Sequence, residues 1–406
     1  MRVSTAQFYY QNSLNMSLKS SDLNEQTPYL SSGKRVLTAK DDAVSFGKLS
    51  GYKNDLSQLD QFNRNIIQSK NHNVLTETSF ALTQETMLQV KQHFIQANNS
   101  ALTDDDRQSI ADQMKQFLAQ ILDVANSKDE SGGYIFSGHK IDKQPFALQA
   151  DNSVIYQGDS GVDQLSIGNN VFVDINQTGD RAFEKIPNAI GDFSPSYTTN
   201  IGGATITRAV VDDRGSYDTA TYPPGYQLGF TDADNNGELE VVVTDSNAVA
   251  ITTIDPFVPG QAFNFNGVEV TIEGTPEVGD QFVINEDEEV SIFETLKAAI
   301  DWLELGGNAA SSSQHEIDYG HILSQINRAT SYISSQQGLA GINLQLIESQ
   351  ESRHLDTNLS LEQGRSSIED LDFASAVSQF EQSQVALQAA QQTFSRLQGL
   401  SLFNYL

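Results

Sequence analysis

One short acidic stretch has residue types that could bind a metal ion. Asp232, Asp234 and Asn236 alternate along the chain and precede Gly237, which is the order of oxygen ligands in the first half of a calcium-binding EF-hand loop. Such a loop needs a bidentate Glu at its twelfth position, where this chain has Val243. The flanking residues are also strand-like rather than helical. The stretch therefore favours a polar β-turn, with weak calcium binding as the alternative.

The other residues that could do chemistry do not form a recognisable site. The chain has no Cys, which excludes disulfides, thiolate nucleophiles and Cys-bound zinc. No two of the six histidines have the i,i+4 spacing of a helical zinc site, and no nucleophile stands beside a general base. The sequence thus predicts a protein that is not an enzyme and needs no cofactor. We interpret the histidines as surface residues on helices: His72, His93, His139, His315, His321 and His354.

Two further polar runs have structural interpretations. Gly132 and Gly133 lie in ESGGYIFSG, without a P-loop Lys or dinucleotide-type spacing, and indicate a hairpin turn. The acidic run 286–289 precedes the apolar segment VSIFETLKAAIDWL. Carboxylates suit the positive end of a helix dipole, so this run predicts the start of a helix.

The chain is strongly acidic, and this limits its partners. It has 53 Asp and Glu against 24 Lys and Arg, a formal net charge of -29. A field of that sign repels nucleic acid and anionic membranes. No run of about 18 apolar residues, the length of a membrane-spanning helix, occurs in the sequence. We therefore expect neither nucleic-acid binding nor membrane insertion. The first residues also lack the apolar core of a secretory signal peptide, so export would need another route.

The elements that position these residues differ between the middle and the ends of the chain. Residues 151–290 hold 24 Asp and Glu, four Lys and Arg, 15 of the 28 Gly and seven of the nine Pro. Gly and Pro at that density exclude long helices and favour short strands. Alternating apolar residues support strands in VIYQGD (154–159), LSIGNNVFVDI (165–175), ELEVVVT (238–244), FNFNGVEVTI (263–272) and DQFVI (280–284).

The two ends of the chain carry long helical periodicity. Residues 44–99 read as one helix, roughly 80 Å long at 1.5 Å per residue. A further helix begins after Thr103, which can cap it, with Asp104–Asp106 at its positive end. Apolar residues at heptad or 3–4 spacing continue to both termini, as in a coiled-coil seam. The seam residues are Tyr9, Met16, Leu23 and Leu30 near one end and Phe373, Val377, Phe380, Leu387 and Phe394 near the other.

These patterns predict a mainly α fold with an inserted β domain: a long-helix bundle or coiled-coil rod plus a β-rich acidic middle. Some seam positions are polar, including Gln384 and Gln391, so the terminal seams look too weak to hold alone. We therefore expect the terminal helices to need partner chains; a closed intramolecular bundle is the alternative. The predicted boundaries are 1–42 (terminal coiled-coil segment, disordered in the monomer), 43–150 (helical rod), 151–287 (acidic β domain), 288–362 (helical rod) and 363–406 (terminal coiled-coil segment).

Both ends resemble known signatures. The stretch LSSGKRVLTAKDDAVSFG (30–47) is similar to the N-terminal signature of bacterial flagellins and their junction relatives, and IEDLDFA (368–374) resembles the C-terminal half. The residues that carry the N-terminal likeness are Ser32, Gly33, Arg35, Asp41 and Asp42.

Three details resemble the hook–filament junction branch of that family more than the flagellins. They are the opening MRVST with Tyr9–Tyr10, the segment GGYIFSGHKIDKQPF (132–146) and the terminus LSLFNYL (400–406). In the second segment the family's recurring residues match Phe136, Gly138, Pro145 and Phe146. Lys40 and Ala43 are closer to flagellin, which keeps a flagellin as the alternative.

The resemblance implies a structural adaptor between the hook side and the filament, exported through a type III channel without a cleaved signal peptide. It implies an extracellular location at the hook–filament junction, with the terminal helices packing as an inner tube. The assembly interface would comprise the seam residues above with Leu402 and Phe403. The implied partners are copies of the same chain in a ring, a neighbouring hook-associated protein, flagellin, and a cytoplasmic export chaperone on the C-terminal region. An unrelated secreted adhesin that uses the acidic β domain is a third hypothesis.

Overall fold

The computed structural model describes residues 5–233, 235–305 and 313–399. The chain divides into two compact units. The terminal unit comprises residues 1–65 and 349–406, and the central unit comprises residues 66–348. Two long helices contribute to both units.

The helical periodicity of the sequence is confirmed. The helix predicted over 44–99 is present as α2 (Ala43–Ala97), and the helix predicted after Thr103 is present as α3 (Asp104–Ala125). Among the described residues no helix combines the length and apolarity needed to cross a membrane. The predicted boundary at 363 falls inside α5, which ends at Glu369. The helices are α1 (Thr5–Ser32), α2 (Ala43–Ala97), α3 (Asp104–Ala125), α4 (Ile292–Glu304), α5 (Ser313–Glu369) and α6 (Phe373–Gly399).

Two helices of the central unit begin at capping boxes. Thr103 caps α3 together with Asp106, as its sequence position predicts. Ser291 caps α4, and the Glu294 carboxylate accepts from the Ser291 backbone N–H. The expectation that the acidic run 286–289 starts this helix is wrong, because that run ends one strand and enters another. A serine with a glutamate three residues later supplies the cap instead.

The middle of the chain forms short antiparallel strands at the segments that alternate in sequence. The strands are β1 (Phe146–Leu148), β2 (Val154–Tyr156), β3 (Gln164–Gly168), β4 (Val171–Asp174), β5 (Ile186–Pro187), β6 (Phe193–Thr199), β7 (Thr205–Val211), β8 (Tyr226–Thr231), β9 (Glu240–Thr244), β10 (Ala250–Ile254), β11 (Phe263–Phe265), β12 (Val268–Glu273), β13 (Gln281–Glu286) and β14 (Glu289–Val290). One five-stranded sheet has the order β10-β9-β8-β13-β6, and a three-stranded sheet has the order β11-β12-β7.

The two larger sheets share one apolar core and form a β-sandwich. Each inner face contributes every second residue, such as Leu228 and Phe230 of β8 or Val268 and Val270 of β12. The Phe230 and Phe282 rings meet at 5.0 Å between centroids. This sandwich spans 193–286, so it is shorter than the predicted β domain of 151–287.

The strands β1 and β2 and the segment 180–186 belong to a second core, formed with α2, α3, α4 and α5. Ile167 of β3 and Val173 of β4 form a smaller cluster with Ile66 and Ile347. Phe183, in a π-helical turn at Asp180–Glu184, lies 5.0 Å from Phe136 and 5.6 Å from Phe146 between ring centroids. All three rings are fully buried. The first part of the acidic region therefore packs with the helices, and composition alone did not reveal this division.

The recurring residues of the segment GGYIFSGHKIDKQPF (132–146) have structural roles in or beside the same core. Phe136 and Phe146 are its buried aromatics, and the Pro145 carbonyl accepts from the Gln157 backbone N–H at 2.7 Å. Gly138 has a positive φ of 70°, and a Cβ there would overlap Asp159. The recurring residues of this segment thus build a core and its close backbone approach, not a ligand site.

The predicted surface position is wrong for two of the six histidines. His315 and His354 are both 5% exposed, and the His315 ring stacks on Trp302 at 4.1 Å between centroids. His354 lies 2.8 Å from the Gln350 side chain. The absence of zinc-ligand spacing did not imply a surface position for these two residues.

Candidate assembly site

The two terminal helices pack against each other within one chain. The Tyr9 ring of α1 meets the Phe394 ring of α6 edge-on, at 5.8 Å between centroids. α1 and α6 therefore pack against each other within one chain, and the expectation that they also need partner chains stays a prediction. The seam residues Tyr9, Met16, Leu23, Leu30, Val377, Phe380, Leu387 and Phe394 are half-buried.

Other apolar residues on the same helices remain exposed. Tyr10 is 70% exposed on α1, and Phe373 and Val385 are 56% and 63% exposed on α6. Leu14 and Leu18 follow Tyr10 at i,i+4 steps and are also exposed. Residues at that spacing form one stripe on a helix. The helix pair thus keeps apolar surface that its own chain does not cover.

A short antiparallel backbone contact joins the two signatures; we call it the clasp and define it as residues 33–35 and 369–371. The Arg35 backbone N–H donates to the Glu369 carbonyl at 2.7 Å, and the Leu371 N–H donates to the Gly33 carbonyl at 2.9 Å. The Arg35 guanidinium also donates to the Ile368 carbonyl at 3.0 Å. The clasp therefore holds the end of α1 beside the turn between α5 and α6.

A buried carboxylate stabilises the clasp. The Glu369 side chain is 5% exposed and lies 2.7 Å from the Lys34 ammonium and 3.0 Å from that of Lys53. Arg365 approaches its other oxygen at 3.5 Å. Burial alone would raise the pKa of Glu369, but the two lysines outweigh burial and hold it below the ordinary value. Glu369 is therefore ionised at neutral pH.

The first half of the signature shapes the link between α1 and α2. α1 ends at Ser32 because Gly33 adopts a positive φ of 67°, as at many helix C-termini. The Ser32 hydroxyl donates to the Pro28 carbonyl at 2.7 Å. Both signature residues therefore terminate the helix that carries the N-terminal seam.

The two signature aspartates fix the rest of the link. Asp41 accepts from the Tyr29 hydroxyl at 2.7 Å and from the Thr38 N–H at 2.8 Å. These hydrogen bonds, that of Tyr29 first, lower the pKa of Asp41 to about 2. Asp42 accepts from the backbone N–H and the hydroxyl of Ser45, which caps α2 and lowers the pKa of Asp42.

Two groups of predicted residues do not join this site. Asp232 accepts from the Asn236 and Gly237 backbone N–H groups, at 3.1 and 3.3 Å, in the turn between β8 and β9. The predicted β-turn is thus present, while Asp234 lies outside the described residues. In the described ranges no group of three or more acidic or His side chains could hold a metal ion. Leu402 and Phe403 also lie outside the described residues.

Sequence reasoning missed the charged centre of the clasp. Lys34, Lys53 and Arg365 were not singled out, and Glu369 appeared only as one letter of a signature. The i,i+4 spacing of Arg365 and Glu369 was a detectable signal. The pairing of Lys34 with Glu369 was not, because only the fold brings these distant residues together.

Comparison with known proteins extends these observations. The bacterial flagellin N-terminal helical region matches residues 3–140, and the bacterial flagellin C-terminal helical region matches residues 323–406. Together these regions cover more than half of the chain and contain both sides of the clasp. The chain belongs to the flagellin-like family.

Curated flagellin-like relatives fall into two groups. The chain is 27% identical over 193 residues to flagellar hook-associated protein 3 of Escherichia coli, covering 47% of this chain and 60% of that protein. It is 31% identical over 149 residues to the Salmonella typhimurium protein of the same name, covering 36% and 46%. A phase 1 flagellin of Salmonella naestved is 25% identical over 287 residues, covering 65% and 54%. The chain thus spans about half of the length of the curated relatives it matches.

Solved structures are similar over more of the chain. The flagellar junction protein FlgL of Legionella pneumophila matches with a TM-score of 0.64 and 26% identity, covering 79% of this chain and 100% of that one. Xanthomonas campestris FlgL matches with a TM-score of 0.63 and 25% identity, covering 78% and 99%. The fold of this flagellin-like chain, with helical ends and a β-rich middle along the sequence, is therefore that of the junction proteins.

Proposed function

We propose that the chain is a structural adaptor of the bacterial flagellum that joins the hook side to the filament. The observation that carries this proposal is the clasp, which unites the two halves of a flagellin-like signature beside a paired set of terminal helices. The site is built from backbone hydrogen bonds, ion pairs and apolar seams. Such groups bind and position other chains, and we propose no catalytic role for them.

The junction role is favoured over that of a filament subunit by the solved structures. The Legionella and Xanthomonas junction proteins are matched over essentially their whole solved chains, with TM-scores of 0.64 and 0.63. The curated relatives do not separate the two roles by extent, since the matches cover 60% of hook-associated protein 3 of Escherichia coli and 54% of the flagellin of Salmonella naestved. The segment that contains Phe136 and Phe146 also has a defined place in the core.

We infer that assembly uses the exposed stripe of the terminal helix pair. Tyr10, Leu14 and Leu18 on α1 and Val385 on α6 present apolar surface that water contacts in the free chain. Burying such surface against neighbouring copies, in a ring, would stabilise association. Flagellin and another hook-associated protein would then contact the two sides of the ring.

Export before assembly completes the proposal. We propose that the chain leaves the cell without a cleaved signal peptide, with a cytoplasmic chaperone on its C-terminal region. A helix pair that is only half-buried suits a segment that must remain unfolded until it reaches its neighbours. The disorder of residues 1–42 in the free chain stays a prediction, and it competes with the pairing of α1 and α6; hydrogen-exchange protection of α1 in the free chain would contradict the disorder.

The proposal is tested by locating the chain on isolated flagella. A tagged chain should appear at one position between hook and filament, and its deletion should release flagellin into the medium. Flagellin remains the second candidate because of the similarity over 65% of this chain. Labelling along the whole filament, with the abundance of a bulk polymer, would favour flagellin and contradict the adaptor.

A further inference from the structure

The sequence contains two Asn-Gly pairs, at 236–237 and at 266–267. Such a pair can rearrange without an enzyme, because the backbone nitrogen of the glycine can attack the side-chain carbonyl carbon of the asparagine. A glycine has no Cβ to obstruct that approach and adopts backbone conformations that other residues avoid. The pairs lie in two turns of the β-sandwich, between β8 and β9 and between β11 and β12. The surroundings of each turn therefore decide which asparagine can react.

The turn that contains Asn236 is open to solvent. Asn236, Gly237 and Glu238 are all exposed. Gly237 has a positive φ of 85°, and a Cβ built on it would meet no atom of the described residues within 4 Å. Water and hydroxide can therefore reach this turn.

A hydrogen bond in the same turn brings the side-chain carbonyl of Asn236 toward the nitrogen that would attack it. The Asn236 Oδ1 accepts from the Glu238 backbone N–H at 2.6 Å, so the side chain folds back over the intervening Gly237 nitrogen. The Glu238 donor also stabilises the negative charge that Oδ1 gains during the attack. The Gly237 N–H donates to the Asp232 carboxylate at 3.3 Å, which is a long hydrogen bond and costs little to break.

Asn266 is also followed by a glycine, but its side chain is held in place. Its Nδ2 donates to the Asp218 carbonyl at 3.2 Å and to the Tyr226 hydroxyl at 3.0 Å, and its Oδ1 accepts from the Asp218 N–H at 3.1 Å. A Cβ on Gly267 would lie 2.4 Å from the Asp213 carbonyl oxygen, so this turn is crowded as well. The amide nitrogen of Asn266 has to give up two hydrogen bonds before it can leave.

We propose that Asn236 is a modification site at which the folded chain deamidates spontaneously, with water as the co-reactant. The Gly237 nitrogen gives its proton to hydroxide and forms a bond to Asn236 Cγ. The Cγ–Nδ2 bond then breaks, and the leaving nitrogen takes a proton from water, which regenerates hydroxide, and departs as ammonia. One water opens the resulting succinimide ring. Cleavage of the ring bond between nitrogen and Cγ gives aspartate, and cleavage at the main-chain carbonyl carbon gives isoaspartate.

The product carries a new carboxylate in a turn that already contains Asp232 and Glu238. The reaction is independent of the proposed adaptor role. It gives old copies of the chain one more negative charge than new copies.

The test incubates the full folded chain in warm buffer at mildly alkaline pH, and peptide mapping by mass spectrometry follows the replacement of NH₂ by OH at each asparagine. Loss of the hydrogen bonds that hold Asn266 corresponds to about tenfold to a hundredfold in a rate, so we expect Asn236 to react faster than Asn266 by that factor. In concentrated guanidinium chloride, where the fold is lost, the two pairs should react at similar rates. Equal rates in the folded chain, or an intact Asn236 in the folded chain while it reacts in denaturant, overturn the proposal.

Two variants assign the charge change in the intact chain. Asn236→Gln keeps an amide, but its longer side chain would have to close a larger ring, which is much slower. Asn99→Gln is the matched control, because Asn99 is also exposed and its Oδ1 accepts from the Ala101 N–H at 3.0 Å, but Ser100 stands in place of the glycine.

Anion-exchange chromatography separates the product, which is more acidic by one charge. Asn236→Gln should remove most of this species, and Asn99→Gln should leave its rate unchanged, with melting curves that verify folding. If the acidic species forms at the same rate in Asn236→Gln as in the unchanged chain, the site is not Asn236.

Discussion

The Tyr9 and Phe394 rings, from opposite ends of the chain, meet edge-on at 5.8 Å between centroids. This contact pairs α1 with α6 in a single chain, so most residues of the two predicted seams are half-buried before any neighbouring chain binds. The remaining apolar stripe on the helix pair is then the surface that neighbours can cover. Variants on the two surfaces should therefore behave differently.

Phe380→Glu should open the helix pair. Removing a fully buried Phe costs about 3–5 kcal/mol, and Phe380 is half-buried, so we expect a loss of about 2 kcal/mol in the pairing of α1 with α6. Leu387→Glu should act in the same direction. Hydrogen exchange of the α1 and α6 amides should become faster, while the melting of the central unit changes little. A large drop in the stability of the central unit would contradict this division.

Val385→Glu tests the exposed stripe on the same helix. Val385 is 63% exposed, so a carboxylate there stays hydrated in the free chain and should leave hydrogen exchange of α6 unchanged. In a ring it would be desolvated against a neighbour without a partner. We expect normal export but flagellin shed into the medium. Normal filaments on cells with this variant would show that the stripe is not an interface.

Glu369→Gln should loosen the clasp. The change leaves Lys34, Lys53 and Arg365 without their shared carboxylate. These cations are partly hydrated, so we expect a loss of about 1–2 kcal/mol in the terminal unit. Glu362→Gln is the control: it loses one exposed pair with Arg365, which is worth less than about 1 kcal/mol. Equal effects of the two variants, measured by hydrogen exchange at residues 33–35, would refute a special role for Glu369.

Asp41 should titrate near pH 2. Its folded pKa is depressed to about 2, so its contribution to stability is present above the ordinary Asp pKa of about 4. That contribution is lost as the pH falls through about 2. Tyr29→Phe removes the largest cause and should raise the pKa of Asp41 toward the ordinary value. NMR titration of the carboxyl carbon measures both, and an unchanged midpoint in the variant would disprove the role of Tyr29.

The sequence predicted the helices and strands better than the tertiary contacts between them. Periodicity and the Thr103 cap are local signals, and α2, α3 and the alternating strands followed from them. The ion pair of Lys34 with Glu369 is not local, and a buried His315 looks like any other histidine in a helix. The assignment of Phe183 to the helical core also depends on tertiary packing, because residues 151–192 as a whole are about as acidic as the sandwich.

Phe183→Ala should destabilise the central unit strongly. The ring is fully buried between Phe136 and Phe146, so we expect a loss of about 3–5 kcal/mol in the free energy of unfolding. Phe172→Ala is the control, because that ring is 57% exposed on β4 and its loss should cost less than about 1 kcal/mol. Denaturant unfolding compares the two, and similar losses would contradict the core assignment.

The β-sandwich should be removable without loss of the junction. β6 and β13 are neighbouring antiparallel strands in which Pro195 lies opposite Ile284. Replacing residues 196–283 by Asn-Gly would close them with a two-residue hairpin turn. The aromatic core around Phe183 and the whole terminal unit lie outside the deleted range.

We expect the shortened chain to keep its helical core and to support filaments and motility, because the clasp and the helix pair are untouched. A broader deletion that also removes 155–192 is the informative comparison. It takes away Tyr156 and Phe183, both of which pack in the helical core, and should therefore unfold the central unit. Far-ultraviolet circular dichroism and swimming assays distinguish the two. If the shorter deletion is folded and exported but filaments are lost, the sandwich itself is part of the junction.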